Sequence, residues 1–184
     1  QEWRHDYRNH IQNMKNRIDG DQGELEQYLD ELADDLTQTD TSIQTGNVMA
    51  DAVLNSKLSV AEQKSIQLNV KAHIPKGIEM TDVEMCSVLG NLLDNAIEAC
   101  EKLPCDKRFL RVYIDKFKGQ FYLSVQNSSP SIQRDKGIFR TTKAGTHGFG
   151  LFRIDRIAKK YGGYVNRQYE EGVFATELLL PLSG

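Results

Sequence analysis

Leu89-Gly90-Asn91-Leu92-Leu93-Asp94-Asn95-Ala96-Ile97-Glu98-Ala99 is the stretch that decides the fold. Leu89, Leu92, Leu93, Ala96 and Ile97 recur at helical spacing and supply a side to bury. Asn91, Asn95 and Glu98 fall at i, i+4 and i+7 and form one polar stripe on the same helix. A solvated face would explain a polar row. Asparagine, however, is a poor helix former, because its side chain competes for backbone hydrogen bonds. An amide stripe in mid-helix is better explained by a ligand or partner that meets it. Amide oxygens are hard, neutral ligands suited to Mg2+, which also keeps waters and takes oxygens from a nucleotide's phosphates.

Upstream, Thr81-Asp82-Val83-Glu84 reads as a capping box opening this helix, which is expected to run to about Leu103. Residues 48–64 are helical in pattern, and Ile66-Gln67-Leu68-Asn69-Val70 alternates like a strand ending near Pro75. Downstream, 109–117 and 120–126 read as strands joined at Lys118-Gly119 in a hairpin. A glycine-rich loop, a helix over about 150–161 and two last strands complete the chain. This order predicts an α+β sandwich over 47–184 with an antiparallel sheet.

The loop reads Thr141-Thr142-Lys143-Ala144-Gly145-Thr146-His147-Gly148-Phe149-Gly150-Leu151 and leads straight into a helix. Glycines let a backbone approach phosphates closely, and free N–H groups at a helix start favour anions. Lys143 adds a point charge for outer phosphates. The loop lacks G-K-[ST] and does not follow a parallel βαβ opening, so it is neither a Walker A loop nor a Rossmann fingerprint.

At the other end, Tyr7, Ile11, Met14 and Ile18 form a narrow apolar seam, and Gly20-Asp21-Gln22-Gly23 breaks it. Asp21 and Glu24 make a capping box for a second helix with its own seam of Leu25, Tyr28, Leu29, Leu32 and Leu36. Two such helices cannot bury their seams alone, so residues 1–46 are expected to pair with a second copy in a dimeric four-helix bundle. The polar run 37–47 reads as the junction. On the first helix His5 lies about 150° from the seam, at 100° per residue, and so faces solvent. Asp6 can orient its ring or accept its proton, and Asn9 shares its face one turn along. His10 falls near the seam, where packing explains it.

Net charge −3 with 27% charged residues offers no basic excess for a nucleic-acid partner. No apolar run approaches the roughly 20 residues of a membrane helix, so no membrane contact is expected of this stretch. Cys86, Cys100 and Cys105 form neither a C-x-x-C pair nor a zinc spacing, and Cys86 and Cys100 read as small buried groups. Gln1-Glu2-Trp3 lies inside the helical pattern, so a longer parent chain is expected.

H-D-Y-R-N-H, then G-N-L-L-D-N-A-I-E-A, then T-K-A-G-T-H-G-F-G-L, in that order, resembles the motif set of sensor histidine kinases. More narrowly it looks like the quorum-sensing type related to the Agr sensor kinase, with the GHKL nucleotide fold of gyrase, heat-shock ATPases and MutL. The resemblance covers nearly the whole chain. It implies that His5 is the phosphorylated histidine and Asp6 its acidic neighbour. It makes Asn95 a Mg2+ ligand, with Asn91 lining the phosphate site. Gly145, Gly148 and Gly150 would close over the phosphates, with Lys143, His147 and Leu151 in the same loop. In the related ATPases the position of Asn91 holds a glutamate that activates water; an amide cannot, which fits transfer to protein.

Two positions depart from the family at large. The D-x-G-x-G box that reads adenine is absent, and Val125-Gln126-Asn127-Ser128-Ser129-Pro130 stands in its place. Asn127 can still accept from the adenine amine, though more weakly than a carboxylate. Glu98 stands where many kinases carry lysine. Both are traits of the quorum-sensing subgroup.

The expected activity is therefore ATP- and Mg2+-dependent phosphorylation of His5. The resemblance further implies transfer to an aspartate on a response-regulator receiver domain, and a membrane sensor that places the intact protein at the inner membrane face. Two alternatives stand beside it. One is a phosphorelay scaffold with a degenerate nucleotide site; the other is an ATPase that drives a conformational change.

Overall fold

A computed structural model describes residues 43–130, 134–135, 138–139 and 149–183. The helical hairpin, with the bundle and dimer expected from it, lies outside the described residues.

Helix α1 spans Val48–Gln63. Asn47 starts it by accepting from the N–H groups of Met49 and Ala50 through its side chain. Strand β1, Gln67–Ala72, follows. Helix α2, Asp82–Glu101, opens on the expected capping box: Glu84 N–H donates to Thr81 Oγ1 and the Glu84 carboxylate accepts from Thr81 N–H. Strands β2, Phe109–Phe117, and β3, Gln120–Ser128, turn on Lys118 (φ 49°) and Gly119 (φ 78°). Two positive φ angles in a two-residue loop match the twist of the flanking strands. Two short strands, β4 Arg134–Asp135 and β5 Ile138–Phe139, pair with each other. Helix α3, Phe149–Lys160, ends at Gly162 (φ 67°), and strands β6, Tyr164–Glu170, and β7, Val173–Pro181, close the chain.

The main sheet has the order β1-β2-β3-β7-β6. It is mixed rather than antiparallel as expected: β1 pairs parallel with β2, while the other pairs are antiparallel. The reason is connectivity, since α2 provides the long crossover that parallel neighbours require. Leu110, Val112, Ile114, Phe121, Leu123, Val125, Leu178 and Leu180 turn one face of the sheet towards the helices and are buried. Leu89 and Leu93 of α2 are fully buried against them, each contributing about 1.5–3 kcal/mol. Cys86 and Cys100 are buried in this layer as expected.

Residues 43–47 are docked rather than trailing. The Asn55 carboxamide bonds both the N–H and the C=O of Ile43, each at 3.0 Å. Thr45, 1% exposed, gives its N–H and its hydroxyl to Asp51 Oδ1, and its carbonyl accepts from Ile74 N–H.

Candidate functional site

Helix α2 carries the polar stripe where the spacing put it. Asn91, Asn95 and Glu98 are half-buried, between the buried Leu92, Leu93, Ala96 and Ile97. Asn91 donates one amide N–H to the Ser87 carbonyl, a turn back, at 2.6 Å. That bond fixes the amide nitrogen and leaves Oδ1 facing outward, onto α3. There it meets Gly150: a Cβ built on this glycine would overlap Asn91 Oδ1 and lie 3.1 Å from its Cγ. The first turn of α3, where the glycine loop ends, is thus seated on the amide helix. Leu151 follows in the same turn and is half-buried. Asn95, one turn on from Asn91, makes no side-chain hydrogen bond to a described residue. Lys57 of α1 pairs with its neighbour Asp94 at 2.9 Å.

The far end of α2 reaches β3. Cys100 Sγ lies 3.6 Å from the Ser128 carbonyl and 3.4 Å from its hydroxyl. Beside it sits Asn127, 3% exposed, whose Nδ2 donates to the same Ser128 carbonyl at 2.9 Å. With one N–H used there, Asn127 keeps its acceptor Oδ1 and its second amide N–H. Asn91, Gly150 and Leu151 therefore gather on one side of α2, and Asn127 stands at the end of the strand α2 crosses. His5, Asp6, Asn9, Lys143, Gly145, His147 and Gly148 lie outside the described residues.

Two anchors on α3 were not foreseen. At its end, Lys160 Nζ and Tyr161 OH donate to the Glu84 carboxylate at 2.7 and 2.6 Å, joining the two Thr81 donors. Burial alone would raise the Glu84 pKa, but the bonds from Lys160, Tyr161 and Thr81 outweigh it and hold the carboxyl below its usual range. In the middle of α3, Asp155 pairs with Arg167 of β6 at 2.9 Å. Lysines in the last turn of α3 hint at the first anchor; nothing local signals the second.

The donor set suits a nucleotide with Mg2+. Among the described residues no group of three His, Cys, Asp or Glu side chains is placed to hold a metal ion. A hard cation here would depend on the amide oxygens of Asn95 and Asn91, water and the phosphates, a pattern ordinary for Mg2+. No described helix is long and apolar enough to cross a membrane.

A family model described as the GHKL domain matches residues 79–181. The sensor histidine kinase NatK of Bacillus subtilis (strain 168) is 23% identical over 185 residues, which cover 96% of this chain and 57% of that protein. The sensor histidine kinase DcuS of Escherichia coli (strain K12) is 26% identical over 162 residues, 82% of this chain and 29% of that one. The chain thus spans little more than half of one relative and under a third of the other. Among solved structures, the nucleotide-free catalytic domain of histidine kinase ThkA superposes with a TM-score of 0.59 at 23% identity, covering 76% of this chain and 93% of that one. That likeness concerns the fold.

Proposed function

Because the chain belongs to the GHKL-domain family, we propose that it is the catalytic part of a two-component sensor histidine kinase, an ATP:protein-histidine phosphotransferase acting on its own His5. The observation that carries this reading is the contact of Gly150 with Asn91, which joins the end of the glycine loop to the amide helix. A glycine-lined helix start and a row of amide oxygens are what a polyphosphate with a hard cation requires.

In this reading Asn127 Oδ1 accepts from the adenine amine, and the loop residues Lys143, Gly145, His147, Gly148 and Gly150 lie over the phosphates. Asn95 and Asn91 would hold Mg2+, whose charge would offset that of the phosphate oxygens. A ring nitrogen of His5 attacks the γ-phosphorus. The P–N bond forms as the P–O bond to ADP breaks, and Asp6 orients the ring and accepts the proton that the other ring nitrogen gives up. Most of the rate comes from positioning and charge neutralisation. Asn91, an amide, does not activate water, which favours histidine over hydrolysis.

The same reading extends to a homodimer through residues 1–46, a receiver-domain aspartate as next acceptor, and a membrane-anchored parent protein. The narrower quorum-sensing assignment rests on Asn127 and Glu98 standing where other kinases carry aspartate and lysine.

Transfer of label from γ-labelled ATP with Mg2+ tests it, with His5→Gln and Asn95→Ala alongside. An acid-labile, alkali-stable label lost in both variants is the expected result. A chain that binds no ATP at all would favour the scaffold, and phosphate release without labelling would favour the ATPase.

A further inference from the structure

Arg167 projects from β6 beneath the first turns of α3, with its side chain only 15% exposed. One terminal nitrogen pairs with Asp155 Oδ1 at 2.9 Å and the other donates to the Leu151 carbonyl at 3.3 Å. Its Nε is buried without a hydrogen-bond partner among the described residues. A buried guanidinium held by only part of its donors stays because of what those donors hold. Leu151 directly follows Gly150, and Gly150 packs on Asn91. The guanidinium thus bridges the Leu151 carbonyl, in the first turn of α3, and Asp155, one turn on.

We propose that Arg167 is a positioning residue for the phosphates of the nucleotide, a role that rests on the nucleotide reading above. Through the Leu151 carbonyl and Asp155 it holds the first turn of α3 against Asn91, and it touches no phosphate itself. Its influence therefore grows with the number of phosphate groups and spares the nucleoside. A residue that merely stabilised the fold would affect every ligand alike.

The test titrates Mg-ATP, ADP and adenosine against the whole 184-residue chain and its R167Q, R167K and D155N variants. Calorimetry reads the nucleotides, ligand-observed NMR reads adenosine, and thermal midpoints are taken for each protein. R167Q is expected to weaken Mg-ATP by about tenfold, ADP by less, and adenosine not at all. R167K keeps the charge but not the two-pronged grip, and falls between. D155N frees one prong without removing the arginine, and keeps the test open if R167Q does not fold. It should weaken Mg-ATP and spare adenosine. Equal losses for ATP and adenosine, or no loss for ATP, would overturn the role. Wild-type protein that binds ATP while the variants bind it equally well removes Arg167 and leaves the nucleotide reading standing. Wild type that binds no ligand removes both.

Discussion

Gly150, in the first turn of α3, lays its backbone on the carboxamide of Asn91, in the middle of α2. Any side chain at 150 must push Asn91 aside or lift the helix start. Gly150→Ala is therefore expected to cost about 1–3 kcal/mol of stability through overpacking. Its effect on Mg-ATP should be larger, a weakening of about tenfold or more, if both displaced groups line the phosphates as proposed. Denaturant unfolding and calorimetry read the two effects separately. Unchanged ATP affinity would mean that this contact has no part in binding.

What could be read from residues alone divides by distance along the chain. The capping box at Thr81 and the turn at Lys118-Gly119 are local, and the structure has them where the residue types put them. The Asn91/Asn95 stripe on α2 was legible because amides in mid-helix go against local preference and stand out from the apolar positions around them. The parallel pairing of β1 with β2 was not, because an alternating strand carries no sign of its neighbour's direction. Nor were the contacts of Glu84 with Lys160 and Tyr161, 76 and 77 positions apart. Such pairs exist only once α3 has been laid against α2.

The Glu84 anchor makes the seating of α3 depend on pH. Its pKa lies below the usual 4.5, since the bonds from Lys160, Tyr161 and Thr81 overcome the opposing effect of burial. A carboxyl depressed on folding contributes stability above its unfolded pKa and loses it as pH falls through the folded value. Glu84→Gln keeps the helix cap and removes the charge. It should cost no more than about 1 kcal/mol at neutral pH, because the Lys160 side chain is 56% exposed. Urea unfolding followed downward through the carboxylate range should show the gap between wild type and variant closing. A gap that stays constant into acid would refute the charge-based anchor.

Asn55 grips the main chain of Ile43 as a neighbouring strand would, with one bond to each peptide group. Asn55→Ala leaves the segment 43–46 held by Thr45, through Asp51 and Ile74, and by the packing of Ile43 against the core. The expected cost is about 1–2 kcal/mol, that of a lost hydrogen-bonded pair with partners able to reach water. Protease cleavage between 43 and 47 should accelerate in step, since the released backbone becomes accessible. Equal cleavage rates in wild type and variant would show that this segment is held by other contacts.

Asn127 is where binding and stability should move in opposite directions. Its Nδ2 bonds the Ser128 carbonyl at 2.9 Å, and the residue is 3% exposed. Asn127→Asp replaces that donor with an oxygen facing a carbonyl, so the protein without nucleotide should lose roughly 1–3 kcal/mol. The same carboxylate is a stronger acceptor for the adenine amine than an amide is, so ATP should bind several-fold more tightly. Thermal unfolding without ligand and calorimetry with Mg-ATP separate the two effects. General damage would lower both quantities together. A variant that is less stable and binds ATP more weakly would mean that residue 127 does not read the base, and that the adenine pocket must be sought away from the end of β3.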